Sequence, residues 1–407
     1  MRLTSRFTEL VVLAGLTLLV VPGVGLAATE LPKEPEKLSA ADAVDAYLAV
    51  LEDVSQTAIK RNYAGSRIAA MQDKALPHLV ELYTDAGAER RGYLAAIAGA
   101  IGAAKTGPML KLLLEDLDRH GLRVHPNVIK ALGDLRAVEA VPRLMELLPG
   151  APDGARQGVL YALGQIGELK SAQELFGGLD DADRVTRAAC ANGIVNILRG
   201  PRTEAKSPPV VKPSAEEIRD RARDYRALFD RVIEYADSGK TDDSRMVLID
   251  GLGMLLAEGV DGLPVGSADA SRASRALSRL LGRDSQPVGV RMVAAESLGR
   301  LHDREAVTDL TDVLSHAEDA PLRHAALGAL VTIGDRSCVP VLIERLQTRS
   351  DTEATAAEIA ERRLVVNALR QLTGQPFSDN PEQWRQWWVA SGERIAQNVN
   401  QSEEKPR

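Results

Sequence analysis

From Val128 to Leu148 the chain reads VIKALGDLRAVEAVPRLMELL, and the apolar spacing of that stretch returns along the sequence. Counted from Leu132, the apolar set falls at Leu135, Val141, Leu144 and Leu148. The same offsets give Ile166, Ala172, Leu175 and Leu179 from Leu163, and Leu301, Val307, Leu310 and Leu314 from Leu298. They also give Ile333, Val339, Leu342 and Leu346 from Leu330. A looser copy starts at Ala98, with Ile101, Gly107, Leu110 and Leu114. Adjoining anchors lie 34, 31 and 32 residues apart. Self-similarity at a fixed period of this size predicts a stacked array of like units.

Each copy reads as two helices and a tight turn. The first carries the anchor at helical spacing, as in Val128, Leu132 and Leu135, and ends near Gly133-Asp134, Gly164-Gln165, Gly299-Arg300 or Gly334-Asp335. The second runs through steps of three and four, as in Val141, Leu144 and Leu148. Pro142 and Pro340 stand at the start of second helices, where the missing N–H costs nothing.

The segments ALGDLRAVEAVPRLMELL, SLGRLHDREAVTDLTDVL and IGDRSCVPVLIERL resemble the HEAT repeat. The form is the one also seen in bacterial HEAT-like proteins related to phycobilin-lyase subunits. The resemblance runs from about Arg67 to Leu372 and implies an all-α fold, an armadillo/HEAT-like α-solenoid of about nine helix pairs. It says little of function, because such arrays host many roles.

Taken in order, residues 1–28 read as a secretory signal peptide, with an uncleaved N-terminal anchor as the alternative: Arg2 and Arg6, an apolar run from Leu10 to Val21, then Gly25-Leu26-Ala27. Residues 29–38 form a flexible, Pro- and Glu-rich spacer. An N-terminal repeat block covers 39–200, opened by a helix that Ser39 can cap and by a degenerate first unit. Ile194 and Leu252 anchor two stretched units, the first interrupted by a Pro-rich loop at 201–213. The C-terminal block covers 214–391, and 392–407 is a polar tail. Its last unit, anchored at Leu369, ends with Asn380 as a helix cap, Pro381 as the first helical residue and Gln383 as capping-box partner. Trp384, Trp387 and Trp388 then share one side of a helix, either as a lid over the last interface or as an exposed docking patch.

A solenoid can grow without one large core, which suits a 407-residue chain with 45% apolar and only 3% aromatic residues. The formal charge of −7 argues against a nucleic-acid-binding array, whose footprint is broadly basic. Cys190 and Cys338 fall about four units apart, too far for a disulfide, and are expected as small buried residues.

No set of residues supports catalysis. Six histidines, among them His120 and His125 around a turn, form neither HExxH nor a Cys/His cluster. Gly239-Lys240-Thr241 lacks the glycine a phosphate loop needs, since Glu234 stands there, and it follows a helix rather than a strand. Gly251 and Gly253 sit inside a helical pattern and predict close helix packing. The acid pairs Asp180-Asp181 and Asp242-Asp243 lack calcium-loop spacing, and no GxSxG elbow occurs. The expectation is a protein without cofactor or metal, and not an enzyme.

Two surfaces remain. At offset +14 the helical period turns Glu146, Gly177, Asp312 and Glu344 away from the core, with Arg143, Glu174, Asp309 and Val341 at +11 beside them. In HEAT arrays the second helices line the concave groove, so the resemblance implies a mostly acidic groove. The second surface is a stripe of Arg272, Arg275, Arg279 and Arg283, in steps of three, four and four, suited to carboxylate or phosphate groups. The combined expectation is an exported, periplasmic or secreted scaffold that binds a protein or peptide partner. Two alternatives are a lyase-like or enzyme-regulating subunit acting on a protein, and attachment to a polyanion or membrane surface through the arginines.

Overall fold

The computed structural model describes residues 31, 38–101, 107–199, 215–258, 267–347 and 355–391. The expected signal peptide (1–28), nearly all of the spacer, the 201–213 loop and the 392–407 tail lie outside the described residues. Among the described residues every regular element is helical.

The chain divides into two units, Met1–Leu175 and Phe176–Arg407. In the first, α1 (Ala40–Glu52) precedes the pairs α2 (Ala58–Ala69) with α3 (Leu76–Asp85), α4 (Ala88–Gly99) with α5 (Pro108–His120), and α6 (Pro126–Asp134) with α7 (Val141–Leu147). The first unit continues into α8 (Asp153–Ile166), and the boundary falls inside α9 (Ala172–Gly177). The second unit holds α10 (Arg184–Arg199) with α11 (Ala215–Ser238), α12 (Asp242–Glu258) with α13 (Ser267–Gly282), and α14 (Val288–Arg300) with α15 (Val307–His316). It then adds α16 (Ala320–Ile333) with α17 (Val339–Arg345), α18 (Ala356–Thr373), and α19 at 381–391. Within each unit the helices form two rows. First helices neighbour one another, as α4, α6 and α8 do in one unit and α10, α12, α14, α16 and α18 in the other. Second helices α11, α13, α15 and α17 make the parallel row. This is an α-solenoid of helix pairs, as the periodicity predicts.

The anchors are the core: Ala98, Leu132, Leu163, Ile194, Leu298, Leu330 and Leu369 are all fully buried, and Leu252 nearly so. Small residues on either side of each anchor set how closely the first helices approach. A Cβ added at Gly99 would stand 3.1 Å from the Ala131 Cα, one at Gly133 2.7 Å from the Ala162 Cα, and one at Gly299 2.8 Å from the Ala329 Cα. In each case the glycine follows one anchor and the alanine precedes the next. Gly251 and Gly253 play the same part, against Val195 and Ser297, so close packing is the reason for that partial GxG.

Four first helices, α6, α8, α14 and α16, end four residues after their anchors in a left-handed residue: Arg136 at φ 54°, Gly167 at 74°, His302 at 50° and Gly334 at 75°. Gln72, at φ 50°, occupies the same place after Ile68, which identifies fully buried Ile68 as the anchor of the degenerate first unit. Seven residues before the anchors stand arginines. Their side chains hold carbonyls in the last turn of the preceding helix or in the turn after it. In the last turn, Arg61 holds that of Leu51, Arg245 those of Ala236 and Asp237, and Arg291 that of Leu281. Past the helix end, Arg187 holds those of Asp181 and Ala182, and Arg323 those of Ala317 and Glu318. Last-turn carbonyls have no partner within their own helix, so a guanidinium there satisfies them and complements the helix dipole.

The looser copy needs a correction. Leu113 and Leu117, rather than Leu110 and Leu114, are the fully buried leucines of α5, and Leu114 is half-buried. The 34-residue interval before the next anchor is three longer than its neighbour's 31, so the buried pair slides three residues along the helix. Cys190 and Cys338 are buried and not joined in a disulfide, as expected. Burial pushes the Cys338 thiol up to about 11, so it sits as a small core residue that donates to the Asp335 carbonyl at 3.0 Å.

Candidate partner-binding surface

The surface to build is the outer side of the second helices. α7, α15 and α17 each bury two leucines four residues apart, the second within or just past the helix, and the residue midway between them points outward. Leu144 and Leu148 flank Glu146, Leu310 and Leu314 flank Asp312, and Leu342 and Leu346 flank Glu344. All three acids are exposed, as is Gly177, whereas Arg143, Glu174, Asp309 and Val341 are half-buried.

In the first unit Arg143 donates to Glu146 at 3.0 Å, so the acidic character expected there is locally neutralised. One Glu174 carboxylate oxygen is buried without a hydrogen-bond partner among the described residues. In the second unit Asp312 pairs with His316 at 2.9 Å, and both are exposed. Asp309 and Glu344 make no ion pair among the described residues.

The arginine stripe lies on α13, between α11 and α15, with Arg283 one residue past the helix end. Its two ends are engaged. Arg272 donates to Asp230 at 2.7 Å and to Asp269 at 2.5 Å, and Arg283 donates to Asp237 at 2.8 Å. Asp230 and Asp237 both belong to α11, so these arginines tie one second helix to the next. Arg275 and Arg279 are exposed and make no ion pair among the described residues. A row of four free guanidinium groups is therefore not what α13 presents; it presents two. The partners on α11 lie 42 and 46 residues away, too far for local spacing to reveal.

The register gives Arg279 a further meaning. Buried Leu277 and Leu281 correspond to the leucine pairs of α15 and α17, and Arg279 stands midway between them. It occupies the repeat position held by Asp312 and Glu344. Across α13, α15 and α17 this position reads plus, minus, minus.

The other motifs are structural. His125 caps α6, its Nδ1 accepting from the Asn127 N–H at 3.2 Å, and its ring fills the space over Gly92. Gly239-Lys240-Thr241 is the turn between α11 and α12, and the Thr241 hydroxyl donates to the Leu179 carbonyl at 2.7 Å. Among the described residues no cluster of three metal-ligating side chains occurs. No helix among them is long and apolar enough to cross a membrane.

These features define a helix-pair repeat protein whose charged second-helix faces are its most patterned surface. Residues 106–194 and 267–361 match the family model described as HEAT repeats. The chain thus carries HEAT repeats over these two stretches, within an all-helical solenoid. No curated protein matches it. Among solved structures, human deoxyhypusine hydroxylase in complex with glycerol is similar at 18% identity, with a TM-score of 0.28, over 83% of this chain and 98% of that one. A chain from the structure of Kap95p binding to RanGDP is similar at 15% identity, with a TM-score of 0.48, over 83% of this chain. This chain spans about half (47%) of that chain's length. Neither likeness bears on activity or partners.

Proposed function

We propose that the protein is an exported, non-enzymatic scaffold that binds another protein or a peptide along the second-helix row of its second unit. The observation that carries this reading is the repeated outward position on that row. Core packing leaves it free, and on α13, α15 and α17 of the second unit Arg279, Asp312 and Glu344 fill it with charge. A preassembled row of helices also loses little ordering entropy on association, which favours binding. Export rests on the signal-like sequence at 1–28 and sets the partner in the periplasm or outside the cell.

The test is affinity capture from envelope extract with the full chain as bait, eluted in salt steps. The second bait carries Asp312→Lys and Glu344→Lys. The third carries Arg363→Glu, an exposed position on first-row helix α18. One protein retained by wild type and by the Arg363 variant, lost by the double variant and released by moderate salt is the expected result. Equal retention by all three baits would remove the second-helix surface as the binding site. Cell fractionation tests export: protein confined to the cytoplasm contradicts it.

A further inference from the structure

We infer that the second-helix face of the second unit selects an extended segment of segregated charge, acidic at one end and basic at the other. The inference rests on the scaffold reading above and gives its partner a chemistry. On α13, Arg275 and Arg279 are exposed without ion pairs among the described residues. On α15 and α17, Asp312 and Glu344 are exposed at the repeat position of Arg279.

The three helices lie in order in one row, α15 next to both α13 and α17. The positive end of the ladder is therefore α13 and the negative end spans α15 and α17. On its far side, α13 already satisfies Asp230 and Asp237 of α11 through Arg272 and Arg283. The two remaining arginines are thus the cationic groups that α13 has left for a partner. An all-acidic ligand meets repulsion at Asp312 and Glu344, and an all-basic one meets it at Arg275 and Arg279. Only a ligand with both signs complements the whole ladder, and such a pattern excludes wrong partners as much as it attracts the right one.

Spacing narrows the ligand further. Packed helices stand roughly 8–10 Å apart, so α13 to α17 is about 16–20 Å. An extended chain advances about 3.3 Å per residue, which sets the opposite charges about five or six residues apart.

The experiment titrates the full chain, at low salt, with three synthetic dodecapeptides that differ only in charge. One carries two glutamates and two lysines about six residues apart; the others carry four glutamates or four lysines at the same positions. The mixed peptide is expected to bind at least about fivefold more tightly than either uniform one, an advantage that shrinks as salt rises. The decisive variant is Arg275→Glu with Arg279→Glu, which makes the ladder acidic throughout. Its preference is expected to pass to the four-lysine peptide. Circular dichroism and the melting temperature of the variant establish that it is folded, since both positions are exposed. Equal binding of the three peptides, no binding of any, or an unchanged order of preference in the variant overturns the inference. In those cases the scaffold reading still stands or falls on the envelope capture alone.

Discussion

Gly133 and Ala162 touch through their backbones: a Cβ at Gly133 would stand 2.7 Å from the Ala162 Cα and 3.4 Å from its carbonyl oxygen. The contact joins α6 to α8 and has nothing flexible on either side to yield. Gly133→Ala is therefore expected to destabilise the protein by about 1–3 kcal/mol, despite the better helix propensity of alanine. Gly158, inside α8, has open space where a Cβ would go. Gly158→Ala is expected to be neutral or to stabilise by about 0.5–1 kcal/mol. Urea denaturation of the two variants checks the contrast, and a similar loss in both would mean that glycine spacing does not set the first-helix contacts.

The left-handed position that ends four of the first helices gives a second contrast. His302 and Gly334 occupy it in successive units, at φ 50° and 75°. A side chain in this region brings its Cβ close to the following carbonyl oxygen, at a cost of about 1 kcal/mol. His302→Gly is expected to raise stability by up to about 1 kcal/mol, and Gly334→Ala to lower it by a similar amount. Both are exposed or capping sites whose substitution leaves the core untouched, so the midpoint of denaturation should move without a change in slope.

Much of the fold could be read in the sequence, and the reasons differ by element. The leucine anchors could be read because the solenoid buries the same residue of every unit. Ile68 could not, since the residue after it is Ala69 rather than the glycine that follows Leu132, Leu163 and Leu298. The arginines seven residues before the anchors were also missed, although Arg187, Arg245, Arg291 and Arg323 repeat as regularly as the leucines. Their signal was present, but their role is to bind carbonyls that only folding brings near. The candidate surface was legible at the exposed acids, which follow from helical period alone. It was misjudged at Arg272 and Arg283, because their carboxylate partners lie on another helix.

Glu361 sits between two arginines, accepting from Arg323 at 2.7 and 2.9 Å and from Arg345 at 2.8 and 3.1 Å. The Arg323 hydrogen bonds, with those of Arg345 and against the opposing effect of burial, hold its carboxyl down at about 2. The folded-state value thus lies below the unfolded one of 4.5, so its contribution is fully present above about pH 4.5. It is lost as the pH falls from there toward 2. Glu361→Gln removes the charge that both guanidinium groups share, and about 3 kcal/mol of stability is expected to go with it at neutral pH. Measured from pH 7 to pH 3, the difference between wild type and variant should narrow at the acid end. A difference independent of pH would show that the triad is not ionised as described.

The C-terminal helix sorts its tryptophans into two roles. Trp384 is fully buried, donates its indole N–H to the Ser378 carbonyl at 2.7 Å, and meets Phe377 edge-to-face at 5.0 Å. Asn380 caps this helix, accepting from the Glu382 N–H at 3.0 Å. Trp388 is half-buried against the core, and Trp387 is half-buried beside Phe377. This makes Trp384 the keystone of a lid over the last unit and leaves the other two partly in water. Trp384→Ala is expected to cost about 3–5 kcal/mol, and Trp384→Phe, which keeps much of the volume but loses the hydrogen bond, about 1–2 kcal/mol. Iodide quenching distinguishes the roles without a folding measurement. In wild type a shielded fraction of the fluorescence should persist at high iodide, and it should vanish in Trp384→Phe while the accessible fraction remains. If the shielded fraction survives that substitution, the lid is held by Trp387 or Trp388 instead.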